Sequence, residues 1–215
     1  MKRNRTSRAW MREHVTDLYV RKARAEGYRS RAAYKLAEID DRDRLIRPGD
    51  TVVDLGAAPG GWSQVAAQRM KGRGRVLALD RLEMDGLAGV LFIQGDFHEE
   101  SVLRRLETLL GGERAGLVLS DMAPDISGVP ISDQARIMDL AGLSLEFCRR
   151  WLEPEGAFLV KVFQGHGYDD FVREMKSAFR SVATRKPEAS RDRSAEVYLL
   201  GKGLKGPETG LKRKV

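Results

Sequence analysis

Several residue types that would point to particular classes of protein are scarce in this chain of 215 residues. Its one cysteine, Cys148, excludes an internal disulfide, and its three histidines show no metal-ligand spacing, so we predict no metal site. No apolar run approaches the roughly 20 residues that cross a bilayer, and the basic N-terminus lacks the apolar stretch of a secretory signal. We therefore expect a cytoplasmic protein that binds no membrane, and we expect it to be a monomer.

Positive charge, by contrast, is concentrated at the two ends of the chain, whose net charge is +7. Residues 1–31 hold seven more Lys and Arg than Asp and Glu, and residues 202–215 hold four more. Clustered cations are expected of a protein that binds a phosphate backbone, but a solubilising surface would look the same. Trp10, Tyr19 and Tyr28 lie among the N-terminal cations and favour RNA, because aromatic rings stack on bases. We predict a basic RNA-binding arm over residues 1–29 and a basic flexible tail over 202–215.

Between these ends, short β-branched runs alternate with segments of helical periodicity. This alternation predicts an α/β domain over residues 30–201, with a seven-stranded, mostly parallel sheet and helices on both faces. The predicted strands are Thr51–Leu55, Arg75–Asp80, Val90–Gln94, Ala115–Asp121, Ala157–Phe163, Val182–Lys186 and Glu196–Leu200. The predicted helices are Arg12–Glu26, Arg31–Arg44 with Ser30 as N-cap, Gly61–Met70, Ser101–Leu110, Asp133–Trp151 and Tyr168–Ala178.

A glycine-rich stretch, Asp54-Leu55-Gly56-Ala57-Ala58-Pro59-Gly60-Gly61-Trp62, follows the first predicted strand. Glycines at such a turn let the backbone approach a nucleotide-like cofactor, and the following helix offers free N–H groups. A dinucleotide-binding turn has the spacing G-x-G-x-x-G, whereas the spacing here is G-x-x-x-G-G. Asp54 would also place a carboxylate near a pyrophosphate. The loop therefore favours S-adenosylmethionine, which carries an ammonium and a sulfonium but no phosphate, over a NAD-type cofactor.

Acidic residues end the next three predicted strands. Asp80 is placed to accept the ribose hydroxyls of a cofactor, Asp96 lies one strand further out near the adenine, and Asp121 lies at the mouth of the crevice. Lys161 is a lysine inside an apolar strand, where its charge is costly unless it is paired or used. Each residue alone could be a solvated or salt-bridged side chain, but their positions at successive strand ends predict one site.

At these motifs the chain resembles the FtsJ/RrmJ family of RNA ribose 2′-O-methyltransferases, from Tyr28 to about Gly201. The matching blocks are residues 29–36 (RSRAAYKL), 54–62 (DLGAAPGGW), 94–97 (QGDF), 120–124 (SDMAP), 161–165 (KVFQG), 185–187 (RKP) and 194–198 (SAEVY). The resemblance implies a Rossmann-like methyltransferase fold and a catalytic tetrad of Lys35, Asp121, Lys161 and Glu196. It also implies that S-adenosylmethionine contacts Gly60, Trp62, Asp80, Asp96 and Asp121, to which the loop adds Asp54, Gly56 and Gly61. The bacterial branch, which modifies a uridine in the A-loop of 23S ribosomal RNA in the large (50S) subunit, is the nearest match.

Two positions depart from the family pattern: Asp125 stands where Asn is expected, and His166 where Glu is expected. Neither belongs to the tetrad, in which Lys161 is the candidate base that deprotonates the ribose hydroxyl. The roles of Lys35 and Glu196 rest on the resemblance. The alternatives are a base-methylating enzyme, an enzyme acting on transfer RNA or a messenger cap, a NAD-dependent dehydrogenase, and an RNA-binding factor for ribosome assembly without catalysis.

Overall fold

The computed structural model describes residues 18–190 and 194–206. Its helices are α1 (Leu18–Ala25), α2 (Ala32–Asp43), α3 (Gly61–Met70), α4 (Glu100–Leu110), α5 (Pro130–Trp151) and α6 (Tyr168–Ala178). Its strands are β1 (Thr51–Leu55), β2 (Arg75–Asp80), β3 (Val90–Gln94), β4 (Ala115–Ser120), β5 (Leu152–Phe163), β6 (Phe179–Arg185) and β7 (Glu196–Leu204). Most of the predicted bounds agree with these to within three residues.

All seven strands form one sheet in the order β3-β2-β1-β4-β5-β7-β6. Strands β1 to β5 are parallel, whereas β7 runs antiparallel between β5 and β6. The order reverses between β1 and β4, so the chain leaves these two strands in opposite directions and opens a crevice at their carboxyl ends. The predicted sheet is confirmed, and the crevice is where its fold class binds ligands.

Helices cover both faces of the sheet, as predicted. One apolar cluster joins α4, α5 and α6 to the sheet through residues such as Leu106, Leu145 and Phe171. The other joins α2 and α3 to the opposite face through Leu36, Trp62 and neighbours. Strands β1 and β4 are buried along their whole length because helices pack on both of their faces. This rigid centre is what holds the site residues at its carboxyl edge.

The largest differences from the predicted strand bounds are in β5 and β7. Strand β7 continues through Leu204, which pairs with Phe179 of β6, so residues 202–204 belong to the sheet and not to a flexible tail. Strand β5 begins at Leu152 instead of at Ala157, and the residues between them form an irregular bulge against β4. The paired backbone of the neighbouring strand decides both bounds, and local sequence does not show it.

The boundary predicted at residue 29 also differs from the structure. Helix α1 buries Ala23 and packs its Tyr19 ring on Tyr34 of α2, with 5.6 Å between centroids. Ser30 does not cap α2, since its buried Oγ has no hydrogen-bond partner. The segment from Leu18 to Arg29 therefore packs on the domain, and the rest of the predicted arm lies outside the described residues. No helix within the described ranges is long and apolar enough to span a membrane.

Candidate active site

A cavity of about 520 Å³ opens at the carboxyl ends of β1, β2, β3 and β4. At Gly56 the backbone of the glycine-rich loop passes close to the backbone of Met122, since an added Cβ would lie only 2.7 Å from it. The positive φ of Gly56, 79°, is a second reason for glycine there. The loops after β1 and β4 thus meet closely, which brings the glycine-rich loop and Asp121 to one cavity.

The predicted cofactor residues divide into two groups. Gly56, Asp80, Asp96 and Asp121 line the cavity, whereas Asp54, Gly60, Gly61 and Trp62 do not. Asp54 is completely buried at 0% exposure, where its Oδ2 accepts a hydrogen bond from Ser63 Oγ at 2.6 Å and its Oδ1 has no partner. Burial raises its pKa to about 7, an effect to which Asp121 and Asp80 add. Asp54 is therefore a buried carboxyl beneath the loop and not a residue of the cavity wall.

The second half of the glycine loop faces the segment before α2 instead of the cavity. An added Cβ at Gly60 would lie 2.8 Å from Arg29 Nη1, and one at Gly61 would lie 2.3 Å from Ser30 Oγ, so both glycines permit close packing. Trp62 is buried, donates from Nε1 to the carbonyl of Ala32 at 2.8 Å and packs near Tyr198. Gly60, Gly61 and Trp62 thus pack the glycine-rich loop against α2 and the segment before it, on the side away from the cavity.

Arg29, predicted to be a cation of the RNA-binding arm, instead donates hydrogen bonds to the glycine-rich loop and to the loop after β2. Its guanidinium donates to the carbonyls of Pro59 at 3.3 Å, Asp85 at 2.7 Å and Gly86 at 2.6 Å. Three carbonyl acceptors satisfy most of the planar donor fork. Arg29 thus joins the glycine loop to the loop after β2.

Asp80 and Asp96 are oriented by backbone donors. Asp80 accepts from the amide of Ala58 at 2.9 Å and from that of Leu82 at 2.8 Å, which fixes its carboxylate beside the glycine loop. The amide of His98 donates to Asp96 at 3.0 Å and is the largest of the effects that lower the pKa of Asp96. Both acids lie at the edge of the cavity where they were predicted.

His98 links Asp96 to α5 and was not predicted. Its Nε2 lies 3.0 Å from Asp139 Oδ2, and its Nδ1 lies 2.8 Å from Asp96 Oδ1. The hydrogen bond to Asp139 makes the largest contribution to the raised pKa of His98, and the hydrogen bond to Asp96 makes the next largest. In the protonated ring both nitrogens donate, so the imidazolium joins two carboxylates at one end of the cavity.

Lys161 and Asp121 form one half of the predicted tetrad. Lys161 Nζ lies 3.0 Å from Asp121 Oδ1 and donates to the Asp121 carbonyl at 2.6 Å. The Lys161 side chain is 10% exposed, and both residues line the cavity. Two acceptors take two of its N–H bonds, so its remaining position is free for a group in the cavity.

Lys35 and Glu196 form the other half, behind the cavity wall. Lys35 Nζ donates to Glu196 Oε1 at 2.7 Å, and Ser190 Oγ donates to the same oxygen at 2.9 Å. Although burial raises the pKa of Glu196, the Lys35 ammonium and these hydrogen bonds lower it overall. Glu196 is therefore the ionised partner of a buried ion pair.

Helix α2, which carries Lys35, is held by side chains of β6 and β7, at one edge of the sheet. Arg185 of β6 donates from Nε and Nη2 to the two oxygens of Asp43, at 2.6 and 2.7 Å. This bidentate contact is the largest effect lowering the pKa of Asp43. Lys202 of β7 donates to the Asp43 carbonyl at 2.7 Å. The pairing of residues far apart in sequence is what places Lys35 beside Glu196.

Tyr198 joins the two halves of the tetrad and was not predicted as a site residue. Its hydroxyl lies 3.3 Å from Asp121 Oδ1 and 3.3 Å from Glu196 Oε1. Tyr198 could have been predicted from the sequence, because side chains two residues apart in a strand lie on the same face and Glu196 begins β7. In register, Tyr198 is also opposite Lys161 of β5.

The two departures from the family pattern lie in different places. Asp125 lies at the rim of the cavity, where both of its oxygens accept from Arg81 Nη2 at 2.9 Å. His166 is exposed in the loop after β5 and does not line the cavity. Within the described residues, no cluster of His, Cys, Asp and Glu could hold a metal ion.

Comparison with known proteins shows the family of the chain. The model of the FtsJ-like methyltransferase family matches residues 28–204. Proteins called ribosomal RNA large subunit methyltransferase E from Dechloromonas aromatica and Azoarcus sp. are each 63% identical over 205 residues, covering 95% of this chain and 100% of each relative. A crystal structure from Plasmodium falciparum, described as a ribosomal RNA methyltransferase, has a TM-score of 0.75 at 30% identity and covers 84% of this chain and 100% of its own. The chain belongs to the FtsJ-like methyltransferase family.

Proposed function

We propose that this methyltransferase transfers a methyl group from S-adenosylmethionine to a ribose 2′-hydroxyl of 23S ribosomal RNA, at a uridine of the A-loop. The observation that carries the proposal is the pairing of Lys161 with Asp121 on the wall of a cavity that also holds Asp80 and Asp96. The relatives that are 63% identical along their whole length are called ribosomal RNA large subunit methyltransferase E, which supports the RNA part. The assembled large subunit is the proposed context of the reaction.

The cavity fits S-adenosylmethionine better than a phosphate-bearing cofactor. Asp80, Asp96 and Asp121 line it, and the buried Asp54 lies behind the loop. Carboxylates disfavour pyrophosphate but favour a sulfonium and an ammonium. We propose that Asp80 accepts ribose hydroxyls, that Asp96 is near the adenine and that Asp121 faces the methionine end. Gly60, Gly61 and Trp62 do not line the cavity, and their side-chain positions point to α2 and its preceding segment, so we propose that they position the loop instead of contacting the cofactor.

In the proposed reaction, Lys161 is the base. When bound, S-adenosylmethionine supplies a methyl group that is electrophilic because it is attached to a sulfonium. Lys161 as a neutral amine keeps two N–H bonds for the Asp121 carbonyl and carboxylate, and its lone pair accepts the proton of the 2′-hydroxyl. The C–O bond forms as the C–S bond breaks, and the proton ends on Lys161. The paired carboxylate then stabilises the ammonium that forms.

The cavity wall argues for ribose over base methylation. Enzymes that methylate exocyclic amines place an aromatic ring at the end of β4, where it stacks on a flipped base. Here Met122, Ala123 and Pro124 occupy that position. Phe97, which also lines the cavity, packs its ring edge-on against Phe147, with 6.0 Å between centroids. Among the described residues that line the cavity, no ring beside Lys161 or Asp121 offers a platform for the target base.

RNA binding by the chain ends remains part of the proposal. The excess of Lys and Arg over residues 1–31 supports a phosphate-binding arm, with Arg29 excepted because its guanidinium is used within the domain. We assign the tail to the residues after Leu204. These ends would recognise the shape of the RNA, whereas the cavity holds the reacting ribose.

The proposal is tested by mapping the methylated nucleotide. Purified protein, methyl-labelled S-adenosylmethionine and unmodified 23S RNA, large subunits or transfer RNA are incubated in parallel. We expect label in large-subunit RNA at an A-loop uridine, with the next phosphodiester resistant to alkali because the 2′-hydroxyl is blocked. Label in transfer RNA alone would overturn the substrate assignment. Label on an alkali-sensitive nucleotide would overturn the ribose assignment, and RNA binding without label would favour an assembly factor.

The ion pair between Arg81 and Asp125 is expected to slow release of the cofactor. It joins the loop after β2 to the loop after β4 at the cavity rim. Exposed pairs contribute little, so Arg81→Asp should raise the rate of cofactor dissociation only about two- to fivefold, less at high salt. The double variant Arg81→Asp/Asp125→Arg should restore the wild-type rate in stopped-flow chase experiments. If cofactor dissociated at the same rate from the wild type and all variants at low salt, the ion pair would have no part in cofactor release.

A further inference from the structure

The two ion pairs of the tetrad are connected by a single phenol. Tyr198 is fully buried, and its hydroxyl lies at 3.3 Å from one oxygen each of Asp121 and Glu196. Those same oxygens are the ones that bind Lys161 at 3.0 Å and Lys35 at 2.7 Å. The network is therefore continuous from α2 through β7 and the end of β4 to β5.

A tyrosine in this position has an electrostatic consequence. Two carboxylate oxygens that contact one hydroxyl are themselves close together, and like charges in a buried site repel. The hydroxyl has one proton, so it can donate to only one carboxylate at a time. Burial is the main cause that raises the pKa of Tyr198, and the charges of Asp121 and Glu196 add to it. The phenol is therefore a neutral donor near neutral pH.

The Tyr198 ring is also fixed from the other side. It packs against Trp62 with 5.6 Å between centroids, and Lys35 Nζ lies 5.7 Å from its centroid. Trp62 in turn donates to the carbonyl of Ala32 at the start of α2. The hydroxyl thus has little freedom to leave the two carboxylates.

We propose that Tyr198 is a positioning residue for methyl transfer, whose hydroxyl donates to either the Asp121 or the Glu196 carboxylate and limits the negative field that Asp121 exerts on Lys161. The inference rests on the proposed function, in which Lys161 accepts the proton. Without the hydroxyl, the Asp121 carboxylate loses a donor and acts more strongly on the Lys161 ammonium. The ion pair then holds Lys161 more firmly in the form that cannot accept the hydroxyl proton. Lys35 and Glu196 are the other charged groups that face the hydroxyl.

The first test compares Tyr198→Phe with wild-type protein and with Tyr34→Phe, a matched control whose hydroxyl contacts Glu26 outside the site. Removing a donor to a charged acceptor should lower kcat at neutral pH about tenfold, with the KM for RNA and the cofactor affinity unchanged. The ascending limb of the pH profile of kcat should move to higher pH, so the loss is partly recovered there. Tyr34→Phe should match the wild-type profile.

The second test is a double-variant cycle with Glu196→Gln. If the hydroxyl serves two carboxylates, the loss caused by Tyr198→Phe should be smaller when one of them is already neutral. Additive losses, or a fall in kcat that is equal at all pH values, would overturn the inference and leave Tyr198 as a packing residue. A wild-type protein that transfers no methyl to any RNA would instead overturn the proposed function, so the two failures are distinguishable.

Discussion

Replacing Lys161 with methionine is expected to lower the rate of methyl transfer by a factor of about 10² to 10⁴, the usual contribution of a positioned base. Methionine keeps the apolar stem and removes the nitrogen that contacts Asp121. Strand β5 should be unaffected, because Lys161 pairs with Tyr198 through its backbone. Single-turnover transfer from labelled cofactor to large-subunit RNA measures the chemical step separately from product release.

The matched control is Lys176→Met, which alters an exposed lysine of α6 away from the cavity. Both variants should bind S-adenosylmethionine with wild-type affinity in calorimetric titrations, since the proposed ribose and adenine contacts come from Asp80 and Asp96. If Lys161→Met transferred methyl at the wild-type rate, Lys161 would not be the base. If it lost cofactor affinity to the same extent as activity, its role would be in binding and not in catalysis.

The fold could be predicted almost completely because each layer leaves a local signal. Strands β1 and β4 are buried on both faces and consist mostly of apolar residues, while the apolar residues of α2 and α4 recur at helical spacing. The bounds of β5, β6 and β7 were wrong where pairing with a neighbouring strand extends an element past the residues with strand propensity. Register is a property of two segments, and one segment alone does not show it.

The site could be predicted only in part, for a related reason. Strand ends are local features, so Asp80, Asp96 and Asp121 were placed correctly at the cavity. The direction in which a loop faces depends on what packs behind it. Gly60 and Trp62 therefore proved to face Arg29 and Ala32, at a separation of about thirty residues in the chain.

Contacts across the sheet were the hardest to foresee. The Tyr198 hydroxyl meets Asp121 at a separation of 77 residues, and Lys35 meets Glu196 at 161. Lys35 and Glu196 were identified by resemblance to a family and not by pattern. Arg81 was missed because its partner Asp125 lies 44 residues away in a loop.

Asp54 should make the stability of the cofactor-free protein fall as pH rises. Its pKa is raised from the ordinary 3.8 to about 7 in the folded state, mainly by burial. Between these values Asp54 is protonated in the folded protein and ionised in the unfolded chain, so its contribution to the free energy of unfolding decreases with pH until about pH 7 and is then constant. Over pH 5 to 8 the Asp54 contribution should decline by about 2–3 kcal/mol. Asp54→Asn, which carries no charge at any pH, should remove this decline.

The measurement is urea unfolding of the wild type, Asp54→Asn and the exposed control Asp85→Asn at pH 5 and pH 8. The amide introduced by Asp54→Asn would leave a donor unpaired where Asp54 Oδ1 has no partner, so this variant should be the less stable protein at pH 5. At pH 8 the buried charge weakens the wild type, and the difference should shrink or reverse. Asp85→Asn should follow the wild type at both pH values. An equal change with pH in the wild type and Asp54→Asn would mean that Asp54 does not gain its charge within the folded protein over this range.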